Sequence, residues 1–158
     1  MVHKICREYD TDSKYFQFLS HFRYDRKNKR FTDVKIKIGN LETEAHKVVL
    51  ERASPVIKAM LKYDGNILEL NEECVDPDIF KDLFDFIYNI PISVSTDKAI
   101  SLCIASNFLD IKDLLDKCET MLIVKLFFEN ILDFYYFASK YDLRNLLPVQ
   151  IPGLQSRP

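Results

Sequence analysis

The side chains best suited to chemistry in this chain are three histidines and four cysteines, and neither set is spaced to act together. His3, His21 and His46 stand far apart, and no H-E-x-x-H pattern places two of them on one helix face. Cys6, Cys74, Cys103 and Cys118 form neither a C-x-x-C redox pair nor a zinc-ligand pattern. A phosphate cradle needs closely approaching backbone, and the 3 glycines, at 39, 65 and 153, build none. No G-x-S-x-G nucleophile elbow is present. Acidic pairs such as Glu72-Glu73 fall in loops, where solvation accounts for them better than acid–base work that needs a pocket to shift a pKa. These patterns predict no catalytic residue, no cofactor and no metal. His46 is distinguished by place instead. It sits between Ala45 and Lys47 at a predicted strand-to-helix corner, where a hydrogen bond is its expected role. Cys103 and Cys118 fall on apolar helical faces and are expected to be buried, reduced thiols.

The elements around that corner are the clearest in the chain. Val34, Ile36 and Ile38 alternate with Asp33, Lys35 and Lys37, and Leu41, Thr43 and Ala45 alternate with Glu42 and Glu44. Gly39-Asn40 between them is a two-residue connection that tolerates positive φ, so a hairpin is predicted. Its register sets Lys37 against Glu42 and Lys35 against Glu44 on the wet face. His46 to Leu50 then reads as a helical turn, and Ser54 to Leu61 as a short helix with Ser54 as N-cap and Pro55 at its first position. Lys62-Tyr63-Asp64-Gly65 reads as a turn, and Asn66 to Leu70 as a short strand.

Outside this run the chain is mostly helical. Residues 1–12 are polar and are taken as an N-terminal tail. Tyr15, Phe16, Phe18, Leu19 and Phe22 follow at helical spacing, with Asp12 or Ser13 available as N-cap. Asp76-Pro77 opens a helix carrying Ile79, Phe80, Leu83, Phe84 and Ile87; Ile92 and Val94 suit a short edge strand; Ser95 or Thr96 and then Asp110 are read as the caps of two further helices. Asn130 opens another helix, and the aromatic run from Phe127 to Phe137 is too ring-rich for one face, so some rings need a cover. Pro148 ends the pattern, and 148–158 reads as an unstructured tail.

Composition bounds the function. With 158 residues, 47% hydrophobic, one well-buried core is expected. The net charge of -2 draws the whole chain neither to nucleic acid nor to an anionic membrane. A local basic run, Arg23 to Arg30, carries five positive charges against one negative and is read as a solvated helix end. No signal peptide and no membrane-spanning stretch is predicted, and a reducing, cytoplasmic or nuclear setting is the default.

Several pieces resemble the BTB/POZ domain in order and spacing. Phe31-Thr32-Asp33-Val34 resembles its F-x-D-V entry, and Ala45-His46-Lys47-Val48-Val49-Leu50 its A-H-K-x-V-L. Ala53-Ser54-Pro55 through Leu61 resembles A-S-P-x-F-x-x-M-F. Phe86-Ile87-Tyr88 resembles its helix exit, and Ala105 to Cys118 its last helical pattern. Residues Asn130 to Leu146 are similar to the start of the BACK region of BTB-kelch proteins, with Ile131 where a cysteine is usual, and the residue usage is similar to poxviral members. The resemblance implies an α+β BTB/POZ fold: a small, mainly antiparallel sheet flanked by short helices, with a C-terminal helical pair. It implies a BTB domain over 13–125, a partial BACK region over 126–147, and no kelch repeats.

It further implies a non-catalytic interaction module that forms homodimers, or heterodimers with other BTB proteins, through the first helix and first strand. Tyr15, Phe16, Phe18, Leu19 and Phe22 would face the partner, above a charged pair of Asp33 and Lys47. It also implies docking on the cullin-3 ubiquitin-ligase scaffold, as adaptor or decoy, in the host cytoplasm if the chain is viral. Leu61, Tyr63, Asp64, Tyr88, Asn89, Phe108, Leu109, Asp110 and Phe128 would carry that contact. Here the family's hydrophobic–x–acidic motif is shortened, since nothing intervenes between Tyr63 and Asp64. The rival expectation is a truncated BTB-kelch fragment that keeps a folded core and no partner.

Overall fold

The computed structural model describes residues 2–6, 14–126, 136, 138–141 and 143. In chain order they form β1 (His3–Ile5), α1 (Lys14–Lys27), β2 (Val34–Ile38), β3 (Leu41–Ala45), α2 (Lys47–Ala53), α3 (Pro55–Asp64), β4 (Ile67–Leu70), α4 (Pro77–Ile87), β5 (Ile92–Val94), α5 (Thr96–Phe108) and α6 (Lys112–Leu126). The fold is α+β, as the resemblance implies. Its strands fall into two sheets, one of order β3-β2-β4 and one pairing β1 with β5.

The hairpin takes the predicted register, with Lys37 opposite Glu42 and Lys35 opposite Glu44. Gly39 makes the turn at φ 51°. The Glu72 carboxylate covers Gly39 so closely that a β-carbon there would collide with it. Val34, Ile36 and Ile38 are buried under the helices. One of the two expected charge pairs forms, Lys37 Nζ to Glu42 Oε1 at 3.5 Å. The other does not, because the Glu44 carboxylate accepts the Thr32 hydroxyl at 2.7 Å instead. After α2 and α3 cross over, β4 lies parallel to β2, so this sheet joins one antiparallel and one parallel pairing.

Three sequence expectations change. His3–Ile5, read as tail, pairs antiparallel with Ile92–Val94 and buries Ile5. Three residues are too few to show alternation, so only the open edge of β5 reveals their partner. Lys62, Tyr63 and Asp64 are the last turn of α3, since nothing breaks the helix before Gly65 at φ 72°. Asp110 does not cap α6. It stands at φ 51°, where Ile111 N–H reaches back to Ser106 O at 2.8 Å, closing α5 as a left-handed C-terminal residue. Asn89 closes α4 the same way, with Ile90 N–H on Asp85 O at 2.8 Å. Lys29 closes α1, with Arg30 N–H on Asp25 O at 2.8 Å.

The core runs from the buried face of the hairpin through α4 to α5 and α6. Ser54 caps α3 as predicted, accepting Ile57 N–H at 2.9 Å, and its hydroxyl donates to Leu109 O, tying α3 to the end of α5. Of the expected C-terminal helical pair only Tyr136, 138–141 and Leu143 are described; Ala138 and Leu143 are buried, and Asn107 Nδ2 donates to Tyr141 O at 3.1 Å. The remainder of 126–147, the tail 148–158 and the caps Asp12 and Ser13 lie outside the described residues.

Candidate interaction site

Helix α1 lies beside the strand-to-helix corner, and its rings divide between core and surface. Phe18 is 51% exposed, whereas Leu19 is 2% exposed. Leu19 is therefore packed into the core of its own chain. Positions 18 and 19 are about 100° apart around a helix, so the two cannot point the same way. Phe22 is half-buried, edge-on to Phe18 at 4.6 Å and to the His46 ring at 4.7 Å between centroids. Tyr15 and Phe16 lie in the helix, with side chains outside the described set. Val48, on α2, is 56% exposed. Phe18, Leu19, Val48, Val49, Glu51, Arg52 and Lys58 line one open cleft of about 550 Å³, with apolar side chains bordered by charged ones. The A-H-K-V-V-L run holds the signal for Val48: two adjacent valines at a helix start cannot both face inward.

Asp33 and Lys47 meet, but not as an ion pair. The Asp33 carboxylate accepts the Lys47 backbone N–H at 2.6 Å, while the Lys47 ammonium lies 3.9 Å from Glu51. The carboxylate thus caps the first N–H of α2, at the positive end of its dipole, where His46 supplies no side-chain cap. His46 itself ties three segments together. Its backbone N–H donates to the Tyr88 hydroxyl at 2.9 Å, its Nδ1 lies 3.0 Å from the same hydroxyl, and its Nε2 lies 2.9 Å from Arg30 O. A carbonyl can only accept, so Nε2 carries the hydrogen and Nδ1 accepts from Tyr88. Burial pushes the Tyr88 phenol up to about 12, against a smaller lowering by its hydrogen bond from His46. The Arg26 guanidinium covers the Phe84 and Tyr88 rings at 4.2 and 4.8 Å and pairs with Asp85 at 3.2 Å, fixing α1 on α4.

The residues expected at a cullin contact separate in the same manner. Tyr63 is 87% and Phe108 46% exposed, and Asn89 and Asp110 are half-buried. Leu61, Tyr88 and Leu109 are core residues, each at 1% exposure or less, and present no side chain to a partner. Leu61 sits within α3, while Tyr88 and Leu109 follow the last turns of α4 and α5, and all three pack into the core. The Asp64 side chain and the whole of Phe128 lie outside the described residues.

A small mixed sheet under short helices, with exposed rings beside a capped corner, defines an α+β domain. The family model of the BTB/POZ domain matches residues 22–126, and the chain belongs to that family. It is 30% identical to Kelch repeat and BTB domain-containing protein 1 of Horsepox virus over 140 residues, covering 87% of this chain and 24% of the relative. It is 32% identical to the protein of the same name in Vaccinia virus (strain Copenhagen) over 124 residues, 77% of this chain and 22% of that one. With Kelch-like protein 28 of Homo sapiens it shares 30% over 135 residues, 82% and 23% of the two chains. The chain thus spans about a quarter of the length of these relatives. Its fold superposes on the BTB domain of zebrafish PATZ1 with a TM-score of 0.64 at 26% identity, covering 73% of this chain and 97% of that one.

Proposed function

We propose that this chain is a non-catalytic interaction module that pairs with a second copy, or with another BTB protein, across the Phe18–Val48 face. The observation that carries the reading is that face itself. Two large apolar side chains stand half or more exposed over a cleft with a charged border, Phe18 on the helix that the family resemblance assigns to self-association and Val48 on α2. Isolated apolar side chains on a surface need no explanation, but a contiguous set around a cleft marks a contact surface. The second part of the proposal is docking on cullin-3 through the exposed Tyr63 and Phe108 with Asn89 and Asp110 beside them, as an adaptor or as a decoy that occupies the scaffold. The setting is the cytoplasm, which suits four free cysteines.

The test is mass in solution, for the chain alone and mixed with the N-terminal part of cullin-3. A dimer that gains mass on mixing supports both parts; a dimer that does not refutes the docking part alone. Phe18→Asp puts a charge into the centre of the face and is expected to yield a folded monomer. A Phe18→Asp chain that remains a dimer refutes the assignment of this face.

A further inference from the structure

A second cleft, on the opposite side of the hairpin's lysines from the core, has a different character. It measures about 500 Å³ and is lined by Arg26, Lys27 and Lys29 from the end of α1, Lys35 and Lys37 from β2, and Glu42 and Glu44 from β3. Five cationic side chains thus face two carboxylates, in a chain whose net charge is -2. The internal pairings narrow the count further. Arg26 is held by Asp85 and Lys37 by Glu42, which leaves three lysines against the single carboxylate of Glu44, itself hydrogen-bonded by the Thr32 hydroxyl. The ammonium groups of Lys27, Lys29 and Lys35 form no ion pair among the described residues, although two carboxylates share the cleft with them. Like charges gathered in one concavity repel, and the repulsion is relieved when an anion enters.

The backbone holding these lysines is fixed. Lys29 and Phe31 both adopt positive φ, at 50° and 57°, and the turn between α1 and β2 is fastened by Arg30 N–H on Asp25 O at 2.8 Å and by Arg30 O on the buried His46 ring at 2.9 Å. Two non-glycine left-handed residues within three positions are an unfavourable conformation that needs such anchoring. Its effect is to bring the basic end of α1 back over the outer face of β2. The cations on that turn therefore have less backbone freedom to lose when a ligand binds.

We infer that this cleft is a docking site for an acidic peptide segment of a partner protein, independent of the Phe18–Val48 face. Charge complementarity sets the partner's sign. The two glutamates set its form: Glu42 and Glu44 stand on the same wall and oppose a continuous phosphate backbone, whereas a peptide can space its carboxylates to meet Lys27, Lys29 and Lys35 and avoid them.

The experiment uses the full chain and fluorescence anisotropy with three labelled probes: a twelve-residue Asp/Glu-rich peptide, its Asn/Gln counterpart, and oligouridylate. The acidic peptide is expected to bind, to weaken as salt rises from about 50 to 300 mM, and to weaken at least about tenfold in the Lys27→Glu/Lys35→Glu variant. Lys62→Glu/Lys112→Glu carries the same charge change elsewhere and is expected to bind within about twofold of the parent. Circular dichroism checks that both variants are folded; should Lys27→Glu/Lys35→Glu not fold, Lys27→Gln/Lys29→Gln replaces it with the same expectation. Equal loss in the two double variants, equal binding of the neutral peptide, or tighter binding of oligouridylate overturns the proposal.

Discussion

Replacing Tyr88 by Phe removes one oxygen from the centre of the His46 network and leaves the ring in place. The hydroxyl accepts the His46 backbone N–H at 2.9 Å and lies 3.0 Å from Nδ1, at a site where Tyr88 is 1% exposed. Without it, a buried N–H and a buried imidazole nitrogen lose their partners and no water-sized space opens. Each stranded group costs about 1–3 kcal/mol, so roughly 3 kcal/mol in total is expected at neutral pH. With urea slopes of about 1–3 kcal/mol per molar, the unfolding midpoint should fall by roughly 1–3 M. A second signature lies at alkaline pH. The folded phenol titrates at about 12 against an ordinary 10.0, so the folded state keeps a proton that the unfolded chain has lost. The stability from Tyr88 is therefore whole below pH 10 and declines as pH rises through 12, by roughly 3 kcal/mol across the window. The difference between parent and Tyr88→Phe should accordingly shrink between pH 9 and 11.5, measured by urea unfolding at each pH. A difference below about 0.5 kcal/mol at pH 7, or one that stays constant into the alkaline range, would refute the argument.

Gly39→Ala places a side chain on a residue at φ 51° and directs it at the Glu72 carboxylate, so a loss of about 1–2 kcal/mol and a melting point lower by several degrees are expected. The Glu72→Ala background should return part of that loss, and an unchanged melting curve for Gly39→Ala would remove the turn assignment. Cysteine labelling at pH 8 with an aromatic disulfide reagent should modify Cys6 and Cys74 quickly and leave Cys103 and Cys118 until urea is added. Cys103 is further held back because a shared hydrogen bond with Cys118, and then burial, push its thiol up. Four fast thiols per folded chain would contradict the packing of α5 on α6.

The hairpin was legible because its signal is local: alternation of Val34, Ile36 and Ile38 and a Gly39-Asn40 turn specify a register with no help from distant residues. Ser54-Pro55 was legible for the same reason, as was the corner role of His46. What failed was non-local or depended on facing direction. The partner of β1 lies near position 93, and nothing within His3–Ile5 announces it. Leu19, Leu61, Tyr88 and Leu109 have the right types for a contact surface, but the packing of α1, α3, α4 and α5 turns them inward. Asp110 is a good cap by type, yet α5 needed a residue in the left-handed region first, and Asp tolerates that position better than most. The lysine cleft was visible as a basic run from Arg23 to Arg30, but its second wall comes from β2, so no single stretch of sequence contains it.

The separation of the strands into two sheets also sets a timetable for synthesis. The β3-β2-β4 sheet with α2 and α3 is complete once residue 70 has left the ribosome, and its hairpin closes over a two-residue turn. His3 must wait for Val94. At about 5–20 residues per second the N-terminal strand spends several seconds exposed before its partner exists. Closing that long loop costs roughly 4 kcal/mol in chain entropy for three residue pairs of return. β1 is therefore made long before it can settle, and amide exchange should find it the earliest strand to reopen.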